Sequence, residues 1–99
     1  MNVIQEDAID ISRKIMRALG EVTGKASMRL RAGGVEKAYH GIAAALAENG
    51  YIMAEMANEE SGIATKKESY LVVTGLTEKG REALPQMNDD AFVKEMIAP

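Results

Sequence analysis

Chemistry has few places to sit in this chain. His40 is the only histidine and cysteine is absent, which restricts every nucleophile–base arrangement and excludes thiolate metal sites. Glu36 and His40 stand four residues apart, a spacing that brings two side chains onto one helix face. Two ligands do not close a metal shell, and no further histidine or cysteine exists to complete one. The run Gly20-Glu21-Val22-Thr23-Gly24-Lys25-Ala26-Ser27 has the residue types of a phosphate loop. Its glycines are one residue too close, Ala26 parts the lysine from the hydroxyl, and a helix precedes it where a strand is required. It reads as an inter-helix turn. With no convergent carboxylate pair either, the sequence points away from an enzyme and implies neither metal nor cofactor.

The other group with chemical potential is cationic. Lys25, Arg29, Arg31 and Lys37 form one basic stretch, Lys66 and Lys67 another, and His40 follows Lys37 by three residues. Cations at spread positions are what a run of phosphates demands. The formal net charge of −3 means that any such attraction has to be local. Glu36, Glu55, Glu59, Glu60 and Glu68 lie in the same stretches, so the competing reading is a scatter of solvated charges.

The elements that must position these groups follow from periodicity. At 99 residues the chain suits one domain with a modest core, and its seven methionines suggest an adaptable one. The acidic N-terminus is unlike a signal peptide, and no apolar run approaches the ~20 residues of a membrane span. The absence of cysteine is compatible with a reducing cytoplasm, the expected location. Ile4, Ala8, Ile11, Ile15, Ala18, Leu19 and Val22 recur at helical spacing, with Glu6, Asp10, Arg13 and Arg17 opposite and Ile9 and Met16 on the flank. Asp10 and Lys14 have the spacing of a surface pair, and Gly20 is placed to stop the helix. Residues 26–31 are compatible with a short helix or with a strand in which Met28 and Leu30 alternate with Arg29 and Arg31. Gly33-Gly34 signals a turn.

Val35 to Asn49 reads as the strongest helix. Val35, Ala38, Tyr39, Ile42, Ala45 and Leu46 form its apolar stripe, Lys37, His40, Ala44 and Ala47 point away, and Asn49-Gly50 closes it. Tyr51 to Met56 and Ser69 to Thr74 read as strands joined by a polar connection over 58–68. Thr77 is placed to cap a helix that Pro85 ends by biasing Leu84 away from helical geometry. Asn88 is placed to cap a last helix, Asp89 to Ile97, whose apolar face (Phe92, Val93, Met96, Ile97) either packs back on the domain or meets a second copy.

A helix, a short turn region, a helix ending in Asn49-Gly50-Tyr51-Ile52, a hairpin, and then Leu76-Thr77-Glu78-Lys79-Gly80-Arg81-Glu82-Ala83-Leu84 resemble the winged helix-turn-helix superfamily. Within it the chain is similar to small YjcQ-like winged-helix proteins of bacterial genomes and prophages. The resemblance covers about Ile4 to Leu84. It implies an α+β fold: a three-helix core with a two- or three-stranded β wing over 1–84, followed by C-terminal helices over 85–99. It also implies that the helix over 35–49 enters a DNA groove and that the wing tip, 58–68, touches backbone. The expected contacts are Lys25, Arg29, Arg31, Lys37, Lys66 and Lys67 on phosphates and His40 near base edges. Arg and Asn, the usual readers of G and A, are missing from that helix's outer face.

The functional expectation is a small DNA-binding transcriptional regulator acting on double-stranded DNA, with a homodimer through Asp89–Ile97 as a further possibility. The alternative is a winged helix used as a protein-interaction module, which the acidic balance and the reader-poor helix favour.

Overall fold

The structure, a computed structural model, describes residues 3–21, 28–33, 36–60 and 67–99, with side chains over 8–21, 28–33, 36–57 and 69–99. In chain order the elements are α1 (Val3–Glu21), β1 (Met28–Arg31), α2 (Lys37–Glu48), β2 (Ile52–Glu60), β3 (Lys67–Leu76), α3 (Glu78–Ala83), a 3₁₀ turn (Leu84–Gln86) and α4 (Asp90–Met96). The strands form one antiparallel sheet in the order β1-β3-β2. This is an α+β arrangement. The helices cover the face that carries Leu30, Ile52, Leu71, Val73 and Leu76, all buried, and the opposite face is open. No helix among the described residues is long and apolar enough to cross a membrane.

α1 lies against α2, α4 and β3 together, so its buried surface is wider than one stripe and is rotated from the expected one. Ile9, Ser12, Ile15 and Met16 are its buried centre, whereas Ala18 is exposed. Ser12 is fully buried because its Oγ donates to the Ala8 carbonyl at 2.7 Å, which satisfies the hydroxyl within its own helix. Asp10 approaches Arg13, at 4.0 Å, instead of Lys14. Arg13 is no solvent-facing charge. Its side chain is 20% exposed, donates to the carbonyls of Met87 at 2.7 Å and Asn88 at 3.3 Å, and pairs with Asp90.

The link from α1 to α2 is not a short turn, since β1 lies within it. The strand reading of 28–31 holds because Leu30 reaches the core while Arg29 and Arg31 stay exposed. α2 also sits differently on its axis. Ala43 and Leu46 are its buried residues, Ala44 and Ala47 pack against the core instead of pointing away, and Ala38 is exposed. Val35 lies outside the described residues. Gly50 takes φ +85, which reverses the chain into β2.

The Leu-Thr-x-x-Gly segment has a physical reason here. Thr77 caps α3 by accepting from the Gly80 N–H at 3.0 Å, and its hydroxyl donates to the Gly50 carbonyl at 2.5 Å. The Thr77 N–H donates to the Tyr51 carbonyl at 3.1 Å. A Cβ at Gly80 would overlap that same Tyr51 oxygen, so only glycine lets α3 sit this close to the α2–β2 corner. Lys79 completes the clamp: its Nζ donates to the Asn49 carbonyl at 2.8 Å and lies 4.4 Å from the centre of the Tyr51 ring.

The end of the chain is built into the same core. Leu84 keeps helical angles, φ −51 and ψ −46, despite preceding Pro85, because the proline enters a 3₁₀ turn whose early positions need no N–H. The cap of α4 is Asp89, which accepts from the Ala91 N–H at 3.0 Å. Asn88 instead accepts from Arg17 at 3.1 Å. Met87, Val93 and Met96 are fully buried beside Ile15 and Leu46, and Asn49 donates to the carbonyls of Met96 at 2.7 Å and Ala98 at 2.9 Å. The apolar face of α4 therefore packs back on its own chain, and only Phe92 and Ile97 remain partly exposed.

Candidate nucleic-acid interface

Alternation on β1 sends Arg29 and Arg31 out on the open face of the sheet. Register pairs them with Val72 and Tyr70 of β3. The Arg29 guanidinium lies 5.0 Å from the centre of the Tyr70 ring, a cation–π distance. Arg31 marks the corner between β1 and α2: its backbone N–H donates to Glu36 Oε2 at 2.8 Å. That bond uses the carboxylate that would otherwise cap α2, and Glu36 makes no side-chain cap. It also sets a negative charge between Arg31 and Lys37.

Lys37 is exposed at the first residue of α2, and His40 follows one turn later, half-buried. The His40 Nε2 atom is buried and has no hydrogen-bond partner. The structure thus brings Arg29 and Arg31 together on one strand and Lys37 to the same corner. It places His40 partly inside the helix layer instead of on an outer reading face. Lys25 and Lys66 lie outside the described residues. Lys67 begins β3, in register with Glu60, and its side chain is outside the described set.

α2 has a bare solvent side: Lys37, Ala38, Gly41 and Glu48 are exposed, and a Cβ at Gly41 would meet nothing within 4 Å. A phosphate backbone can come close to such a surface, but little on it reads bases. From its C-terminus the chain turns into the β2–β3 hairpin. The strands run further into the polar connection than the sequence suggests, pairing from Ile52↔Leu76 to Glu60↔Lys67. Only residues 61–66 separate them.

The hairpin leaves the helix layer at the Met56↔Leu71 pair, where Leu71 is buried but Met56 is 60% exposed. Past the β1 pairing, which ends at Tyr70, the two strands continue alone as a two-stranded arm, 58–60 with 67–69. Glu59 stands opposite Glu68 there in the register. Among the described residues no group of three or more His, Cys, Asp or Glu side chains could hold a metal ion.

Sequence reasoning missed Tyr70 and the clamping role of Glu36. Tyr70 was within reach: once 28–31 is a strand, parity sets Arg29, Arg31, Val72 and Tyr70 on one face. Glu36 was not, because its partner is a backbone N–H across a turn. No protein-family model, curated protein or solved structure matches the chain.

Proposed function

We propose that this chain is a winged-helix domain that binds double-stranded DNA mainly through phosphates, as a small transcriptional regulator acting in the cytoplasm. The observation that carries the reading is the position of α2. It starts at the cationic corner of Arg29, Arg31 and Lys37 and ends at the base of a projecting hairpin that bears Lys67. In this reading α2 approaches the groove with its small residues, the corner and the arm hold phosphates on either side, and Lys25 and Lys66 add to them. The scarcity of base readers predicts weak sequence discrimination, and the interspersed glutamates predict binding that is strongest at low salt. In this fold β1 takes the place of a short inter-helix turn. A homodimer through α4 would have only Phe92 and Ile97 to use.

The test is to remove the arm. Asn58 and Ser69 are directly paired and the Ser69 carbonyl accepts from the Ala32 N–H, so residues 59–68 can be replaced by an Asn-Gly turn with that bond and the β1–β3 pairing retained. Fluorescence anisotropy with a labelled duplex at low salt is expected to show binding by the full chain and a large loss in the shortened one, with melting preserved. No binding by the full chain would refute the reading.

A second reading, a protein-interaction module, is favoured by one observation. The two large apolar side chains most exposed among the described residues, Met53 at 49% and Met56 at 60%, both lie on β2.

A further inference from the structure

We propose that the free edge of β2 pairs antiparallel with the same edge of a second copy, forming a two-fold dimer with Met56 on the axis. This goes beyond the DNA reading and does not depend on it.

The sheet order β1-β3-β2 leaves two edges among the described strands. They are unlike. β1 has four residues and carries two arginines, and short, charged edges resist further pairing. β2 has nine residues, Ile52–Glu60, with no proline and no lysine. At ~3.4 Å per residue it offers a backbone edge about 30 Å long. Its two exposed methionines are the apolar surface that such an edge would cover.

Charge selects the register. A two-fold axis normal to the sheet keeps every side chain on its own face, so the axis passes through a residue of β2 and its mate. With the axis on Met56, the midpoint of Ile52–Glu60, all nine residues pair. Ile52 then meets Glu60, Met53 meets Glu59, Ala54 meets Asn58 and Glu55 meets Ala57, so no acid faces an acid. Moving the axis one residue back sets Glu55 against its own mate. Moving it one residue forward sets Glu55 against Glu59. Like charges directly opposite destabilise a strand pair, and both neighbouring registers contain one. In the selected register the two Met56 side chains lie together on the helix-side face, each beside its own chain's Leu71.

Two measurements test this. Sedimentation of the wild-type chain is expected to show a concentration-dependent dimer. A chain that stays monomeric up to about 1 mM, the weak end of association, overturns the proposal. The second uses the absence of native cysteine. Residues directly opposite across an antiparallel seam have Cα atoms ~4.5–5.5 Å apart, within the ~4.4–6.8 Å a disulfide spans. Met56→Cys is therefore expected to cross-link to its mate under mild oxidation. Met53→Cys, equally solvent-accessible in kind, would lie about 20 Å from its mate, six strand residues away. Met56→Cys is expected to form covalent dimer at least about tenfold faster than Met53→Cys, with both variants keeping wild-type circular dichroism. Equal rates for the two would show random collision and refute the seam.

Discussion

The corner where α2 becomes β2 and the arm that the same hairpin extends beyond the helices are built on opposite terms. At the corner, residues 49–51 are held by Thr77, Lys79 and the close approach of Gly80, and Asn49 ties down the C-terminal backbone. Every backbone N–H and carbonyl of these three residues has a partner inside the chain. Along the arm, 58–60 with 67–69, the sheet has only two strands, and Glu59 stands opposite Glu68 in the register. The segment from Leu76 to Leu84 thus secures the α2–β2 corner, while the exposed Arg29, Arg31 and Lys37 lie elsewhere. A fold, however it is held together, does not by itself state a use.

Substitutions in the two regions separate them. Truncating the C-terminal anchor, Met96→Ala, is expected to cost about 2–5 kcal/mol in denaturant unfolding, because a fully buried side chain leaves a cavity. Gly80→Ala is next, at about 1–3 kcal/mol, since the new methyl forces α3 off the Tyr51 carbonyl. Thr77→Ala removes a cap and the bond to Gly50, and should cost about 1–2 kcal/mol. Glu59→Lys in the arm should do the opposite, stabilising by about 0.2–1 kcal/mol as the Glu59–Glu68 opposition is relieved, while tightening duplex binding. A large stability loss from Glu59→Lys, or none from Gly80→Ala, would erase the contrast.

The two regions also differ in how far the sequence discloses them. α2, Gly50, both hairpin strands and the Thr77 cap are readable because each rests on local spacing: a 3.6 or 2.0 period, a glycine at a positive φ, a hydroxyl three residues before an N–H. The α1 stripe is not, because its face is set by α2, β3, the 3₁₀ turn and α4 at once, which brings Ile9 and Met16 from the flank to the centre. The displacement of the last cap from Asn88 to Asp89 and the Arg13 clamp share one cause. Arg13 and Arg17 reach residues more than seventy positions away, and that contact decides what Asn88 does. Of the candidate site, Arg29, Arg31 and Lys37 are where a strand, a turn and a helix start would put them. His40 is not, because α2 is rotated towards the core by the packing of Ala43, Ala44 and Ala47.

The measurement that bears most directly on the proposed DNA surface is the salt dependence of duplex affinity for the wild-type chain and for Lys66→Ala/Lys67→Ala. Each phosphate contact contributes about 0.9 to the slope of log affinity against log salt, so losing two should flatten it by about 1.8 without changing stability by more than about 0.5 kcal/mol. A wild-type chain with no duplex affinity at low salt, or an unchanged slope in the double variant, would contradict the account.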